Sequence, residues 1–368
     1  MDFSFTDDQR QLRDALRGYL ERENSFSART ASARSASGWS ESLWRGLADD
    51  LGILGVGVAE TAGGAGGNAI DMMVASEELG ANLLVEPFLE TSVIGAAALG
   101  AAGGREAELA AIVSGDMRCA FAWAEAESRF DPAAPATAAT RTAAGWRLDG
   151  RKAVVTAAPY ATHLLVTARD GDEPALFLVG ADAAGLSLRG YPMIDGRRAA
   201  DAVFDAVSLP EAALLLRGEE ATERLCDIAT AMLGAEALGV MRVMLDDTIS
   251  FTKERRQFGQ PIAGFQVLQH RMVDMYMQLE LATSAVYRAV LSLDAAPAER
   301  ARAVSAMKVT VAGACRFVGQ NAIQLHGGMG MTDEVRVSHY FRRATVIESE
   351  FGSADWHRRR FAALSRAA

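Results

Sequence analysis

Gln320-Asn321-Ala322-Ile323-Gln324-Leu325-His326-Gly327-Gly328-Met329-Gly330 closes an apolar-periodic run on a double glycine, and an arginine-rich stretch leads from it to Glu350-Phe351-Gly352-Ser353. Consecutive glycines permit conformations closed to other residues and let a backbone approach a ligand closely. They also stop helices, so on residues alone the double glycine is either a ligand cradle or a helix end. Upstream, Arg255-Arg256-Gln257-Phe258-Gly259-Gln260-Pro261-Ile262 separates two helical patterns. A cationic helix terminus followed by a turn complements the helix dipole. The same residues would also set a guanidinium on a pyrophosphate beside an aromatic ring.

Composition narrows the classes. The chain has 368 residues, enough for two or three domains, and is 50% hydrophobic and 23% charged. A net charge of −10 argues against a nucleic-acid groove or an anionic membrane surface as the main partner. Cys119, Cys226 and Cys315 lack metal or redox spacing and predict reduced thiols in a cytoplasmic protein. Met1–Asp8 is acidic and has no secretion-signal pattern, and no run of 18 apolar residues occurs, so no membrane insertion and no metal site are expected.

Texture changes twice along the chain. Residues 1–115 read as helical: Thr6 caps a helix with Leu12, Leu16, Tyr19 and Leu20 at helical spacing, Trp44, Leu47 and Leu51 mark a second, and 69–80 and 87–102 follow. Residues 116–218 alternate short apolar runs with turn signals and predict a middle antiparallel β-domain, with Asp149-Gly150 and Asp170-Gly171 as hairpin turns. Residues 219–368 return to long amphipathic helices, a C-terminal four-helix bundle in which Met272, Met275 and Met277 are expected to fill the core. Gly64-Ala65-Gly66-Gly67-Asn68-Ala69 fits a dinucleotide fingerprint formally, but no strand precedes it, so it reads as a turn between helices.

Together, Arg255-Arg256-Gln257-Phe258-Gly259 with its continuation to His270, the Gln324–Gly330 run and the Gly352-Ser353 ending resemble the acyl-CoA dehydrogenase family. The resemblance implies an α+β multidomain fold of N-terminal helical domain, β-domain and C-terminal four-helix bundle. It also implies FAD, an acyl-CoA substrate and electron-transferring flavoprotein as the electron acceptor. Arg255, Gln257 and Phe258, with Gln324, Gly327 and Gly328, then hold the diphosphate half of a flavin across a subunit interface. Thr156 and Ser353 are the remaining flavin contacts, and His326 has a structural hydrogen-bonding role. Gly38-Trp39-Ser40, Gly63-Gly64, Glu86-Pro87 and Phe351–His357 extend the resemblance over essentially the whole chain, toward small subunits of the pimeloyl-CoA dehydrogenase type.

The chemistry of α,β-dehydrogenation needs a carboxylate for the α proton and hydrogen bonds on the thioester oxygen. In the family that carboxylate directly precedes the Gly-Ser pair, where this chain has Phe351; the alternative seat on the first long bundle helix is Ala229. Glu350, one residue away, is the remaining in-chain candidate base. The flavin-facing segments differ too: Ala124-Glu125-Ala126 stands for Thr-Glu-Pro, and Val154-Val155-Thr156 for Trp-Ile-Thr. The pattern predicts a base-lacking subunit of an α2β2 heterotetramer with a homologous large subunit. The alternatives are a homotetramer using Glu350 and a flavin-free structural subunit.

Overall fold

The computed structural model describes residues 5–366. Six helices come first: α1 (Asp7–Glu23), α2 (Phe26–Arg34), α3 (Glu41–Asp49), α4 (Ala69–Ala81), α5 (Ala96–Ala102), which a π-helical turn Leu89–Gly95 leads into, and α6 (Glu106–Val113). Strands β1 (Cys119–Ala122), β2 (Ala138–Thr142), β3 (Gly145–Thr156), β4 (His163–Asp170), β5 (Glu173–Gly180), β6 (Leu186–Pro192), β7 (Arg198–Leu209) and β8 (Leu214–Arg217) follow. Then come α7 (Glu219–Glu254), a ribbon of β9 (Arg256–Gln257) and β10 (Gln260–Pro261), α8 (Gln266–Leu291), α9 (Pro297–His326), α10 (Arg336–Ile347) and α11 (Ala354–Arg366). This is the helix–sheet–helix order that the sequence predicts.

The chain folds as two compact units, the first made of Met1–Arg29, Met73–Leu84 and Thr230–Ala368. Thr6 and Gln9 form a reciprocal capping box at the start of α1, and Leu16, Tyr19 and Leu20 are buried as their spacing requires. Helices α4 and α7 cross at two glycines: a Cβ on Gly239 would lie 2.0 Å from the Glu77 carbonyl oxygen, and one on Gly80 2.2 Å from that of Glu236. Only glycine allows that approach. In the bundle, Val304, Met307, Val311 and Ala314 of α9 are buried, as is Met275 of α8. Met277 departs from expectation. It is 54% exposed, on a solvent-facing α8 stripe with Val273, Tyr276 and Leu281, because methionine's apolarity does not specify which side of a helix it takes.

The second unit comprises Thr30–Met72 and Val85–Ala229. Its sheet runs β6-β7-β3-β2-β4-β5-β8, with β1 also on β4. Most pairings are antiparallel, but β1 and β2 both pair with β4 in parallel; alternation in sequence encodes burial and not partner direction. Trp146 and Phe177 meet edge to face at 5.3 Å in its core. Asp170-Gly171 makes the β4–β5 hairpin as expected. Asp149-Gly150 makes none: it lies inside β3 at a bulge against β7, where a Cβ on Gly150 would sit 2.6 Å from Thr137 Oγ1. The glycines at 64–67 form a tight loop whose N–H groups bond inward, Ala65 to Gly55, Gly66 to Val58 and Gly67 to Val56. None of those three is left to cradle a phosphate.

By length and composition α7 could span a bilayer, but 83% of its most apolar window is buried in protein.

Candidate cofactor and catalytic site

In the first unit α7 runs out at Glu254, and the chain turns back at once. Gln260 pairs with Gln257 and Pro261 with Arg256. The two turn residues, Phe258 (φ 52°) and Gly259 (φ 78°), are both left-handed, which a two-residue ribbon demands for its twist. Glycine suits that conformation. For phenylalanine it costs about 1–2 kcal/mol, and the ring gains no burial in return: Phe258 is 90% exposed, with only an edge-to-face contact to Phe265 at 6.1 Å. A strained aromatic held in the open marks a site that something else completes.

Arg255, Arg256 and Gln257 are exposed beside it, and among the described residues their side chains find no hydrogen-bond or ion-pair partner. The double glycine follows directly on His326, which is joined to α7 at Phe251, about one turn before Arg255. His326 stacks on Phe251 of α7 at 4.4 Å, and its Nδ1 donates to the Ala322 carbonyl at 2.8 Å. This buried histidine is a joint between α7 and α9, with Nδ1 and its ring face committed to structure. Gly327 (φ 63°) ends α9, and a Cβ on it or on Gly328 would meet nothing within 4 Å. Gln324, Gly327 and Gly328 are therefore an open, solvent-facing shelf. Two segments far apart in sequence thus form one surface with uncommitted guanidiniums, an aromatic face and bare backbone. That donor set fits a dinucleotide diphosphate. The exposed apolar residues Val267, Met329 and Met331 adjoin these segments in sequence.

The turn after α10 has the opposite character, since every group in it is tied down. Gly352 N donates to the Ser349 carbonyl, placing Phe351 in the turn at φ 56° and nearly buried. Lys308, wholly buried on α9, donates from Nζ to the carbonyls of Ile347 at 2.7 Å and Glu350 at 2.5 Å. Burial pushes its pKa down to about 8, against the pull of the Glu350 carboxylate. His357 Nε2 donates to the Phe351 carbonyl at 3.0 Å, leaving Nδ1 to accept from Ser305 Oγ at 3.3 Å. Burial first, and the Lys308 charge second, push that imidazole down to about 3. Ser353 caps α11, its Oγ accepting from Trp356 N at 3.3 Å.

Glu350 shares in this bracing. Its Oε2 accepts from Arg343 Nη1 at 2.9 Å, while the same guanidinium grips both oxygens of Glu236 at 2.6 and 2.9 Å. The side chains are 3%, 13% and 9% exposed respectively for Arg343, Glu350 and Glu236, so the guanidinium is a buried bridge between two carboxylates.

In the second unit Ala229 is fully buried. Val154 sits at a bulge between Lys152 and Val155 with φ 52° and 53% exposure, its N–H toward Asp201. Behind it Lys152 Nζ reaches Glu125 Oε1 at 2.5 Å and Thr167 Oγ1 at 2.8 Å, both buried. Burial lowers Lys152 to about 8. Burial works against the Glu125 carboxylate as well, yet Lys152 and Thr137 hold it below its ordinary range. Thr156 is half-buried and pairs with Ala199.

Sequence reasoning overlooked Lys308, Arg343, Glu236 and His357. One signal was available: Lys308 falls on the apolar face of α9 with Val304, Val311 and Cys315, where a charge needs buried partners.

Comparison with known proteins agrees across the chain. Family models described as acyl-CoA dehydrogenase N-terminal, middle and C-terminal domains match residues 6–116, 120–207 and 217–364. Benzylmalonyl-CoA dehydrogenase of Aromatoleum aromaticum is 30% identical over 94% of this chain and 95% of its own length. Among solved structures, the Tcur3481-Tcur3483 steroid ACAD G363A variant is similar at TM-score 0.91 and 32% identity, covering 98% of both chains. The ChsE4-ChsE5 complex from Mycobacterium tuberculosis is similar at TM-score 0.93 and 25% identity over 100% of both.

Proposed function

The chain belongs to the acyl-CoA dehydrogenase family, and from that premise we propose that it is the small, base-lacking subunit of an α2β2 heterotetramer. The observation that carries this reading is the braced turn at 347–353. Its base seat is Phe351, and the neighbouring Glu350 is spent on Arg343. A general base needs a lone pair within reach of the substrate proton. Glu350 Oε2 is held by a buried guanidinium that fixes the carboxylate in the bracing of the turn, and the side chains of Phe351 and Ala229 have no lone pair.

FAD is the family's cofactor, and when bound it supplies the hydride acceptor. The residues of this chain that suit it are those of the open surface. Arg255 would neutralise its diphosphate, Phe258 would cover an aromatic face and exclude water, and Gln324, Gly327 and Gly328 would bond its adenosine-diphosphate portion. Gln257 would assist. The homologous large subunit supplies the carboxylate and seats most of the flavin. Support comes from the exposed strain at Phe258 and from the similarity to chains of two-component complexes, Tcur3481-Tcur3483 and ChsE4-ChsE5.

On this reading the substrate is an acyl-CoA with a bulky or carboxylated acyl group. The motif resemblance to the pimeloyl-CoA dehydrogenase small subunit and the likeness to a benzylmalonyl-CoA and a steroid enzyme favour that class. Residues 1–115, 116–218 and 219–368 act as its three functional parts, in the cytoplasm, with electrons passing to electron-transferring flavoprotein.

Arg255→Ala tests the assignment. FAD retained by the complex on gel filtration should fall at least tenfold, while the subunits stay associated. Unchanged flavin content would remove Arg255 from the site.

A further inference from the structure

His339 of α10 stands where three parts of the first unit meet, and it is buried. Its Nε2 lies 3.1 Å from the Asp333 carbonyl oxygen, and its Nδ1 lies 3.3 Å from Arg29 Nη1. Phe26, at the start of α2, meets the ring edge to face at 4.9 Å. Arg29, itself buried, also donates from Nε to the Leu83 carbonyl at 3.2 Å. One imidazole therefore joins α2, the chain that leaves α4 and the loop that enters α10.

Those two contacts fix its protonation state. A carbonyl oxygen only accepts, so Nε2 carries the hydrogen; a guanidinium only donates, so Nδ1 must offer its lone pair. Only the neutral ring meets both demands. A second proton, on Nδ1, would turn an N–H toward the Arg29 N–H and set two cations side by side. The charged groups that face the ring are Arg29 from α2, Arg342 from its own helix and Asp333 from the loop. The Asp333 carboxylate is engaged by Arg342 Nη2 at 2.5 Å. Glu21 of α1 and Arg336 line the small pocket that Arg29 also lines. Burial first, with the Arg342 and Arg29 charges behind it, holds the imidazole below its ordinary range against the pull of the Asp333 carbonyl.

What the ring holds is the segment that leads off the double glycine. After the turn Gly327–Met331, Thr332 N donates back to the Met329 carbonyl, and residues 333–335 cross to α10. Asp333 ties that crossing to the helix twice, by its carbonyl on His339 and its carboxylate on Arg342.

We propose that His339 is a pH-sensitive tie: while neutral it pins the 332–335 segment and with it the end of the glycine turn, and once protonated it releases them. The consequence for flavin retention rests on the function proposed above, in which Gly327 and Gly328 meet the cofactor; the tie itself does not.

Hydrogen exchange of the purified full-length protein, read by mass spectrometry at about pH 7.5 and about pH 5.5 and corrected for intrinsic rates, tests it. The released ring takes a proton near 6.5, the ordinary histidine value, so opening across residues 332–340 should rise roughly threefold to tenfold at the lower pH. His339→Gln offers an amide N–H to the same carbonyl and takes up no proton, so exchange there should not respond to pH. Peptides around His357 should respond alike in both proteins. The proposal is overturned if residues 332–340 open equally at both pH values in the wild type, if every peptide shares the rise equally, or if folded His339→Gln keeps the response. The first two outcomes are read on the wild type alone and stand even where the variant does not fold. Loss of FAD from the complex on gel filtration should follow the same pH dependence. FAD fully retained alongside faster exchange would remove the glycine turn from the flavin site and leave the tie standing.

Discussion

Replacing Glu350 by glutamine separates a braced carboxylate from a catalytic one. Glu350 Oε2 lies 2.9 Å from Arg343 Nη1, and both side chains are largely buried. Glutamine keeps the shape and loses the charge, so the change should remove one charge-assisted hydrogen bond, about 1.5–3 kcal/mol. Arg343→Met is harsher. It strands Glu236 and Glu350 together, and breaking a buried pair by deleting one partner costs about 3–5 kcal/mol. Glu350→Gln in the Arg343→Met background should then add little further loss, giving a coupling energy of about 1 kcal/mol or more. Urea unfolding followed by far-UV circular dichroism reads all four proteins. Turnover of the assembled complex, measured alongside, should survive Glu350→Gln. If Glu350→Gln matches wild type within about 0.5 kcal/mol and abolishes turnover, Glu350 is a base and the bracing argument is wrong.

Phe258→Asn should shift the urea midpoint upward, a gain of about 1 kcal/mol, because asparagine tolerates the left-handed turn better than phenylalanine. The same variant should lose FAD from the complex, read as absorbance at 450 nm. His357 sets an acid limit. Its folded pKa of about 3 lies below the ordinary histidine value of 6.5, so between those values the unfolded chain binds a proton that the folded chain refuses. Stability therefore falls as pH drops from about 6.5 toward 3, and His357→Gln should flatten that part of the pH–stability curve. An unchanged slope would mean the imidazole is not held neutral in the turn.

Patterning along the chain determined most of the fold. Leu16, Tyr19 and Leu20 on α1, and Val304, Met307 and Val311 on α9, repeat at the interval that one buried helical face requires. Direction and register were less legible. Asp149-Gly150 has turn chemistry but sits in a bulge because Thr137 packs against the glycine, a contact no local window contains. The exposed turn at 258–259 and the open double glycine, proposed to take the flavin, were legible as local geometry, since left-handed turns and glycine helix ends are set by nearby residues. The bracing of the turn was not. Glu350 looked available by spacing, and only the approach of Arg343, Lys308 and His357 through the fold shows its neighbourhood occupied.

The central claim, that this chain completes a flavin site whose chemistry lies in a homologous larger subunit, is tested most directly by the visible spectrum of the chain purified alone and co-purified with that subunit. The account predicts a colourless protein alone, and a yellow complex bleached by acyl-CoA. Stoichiometric flavin in the lone chain, bleached by acyl-CoA, would contradict it.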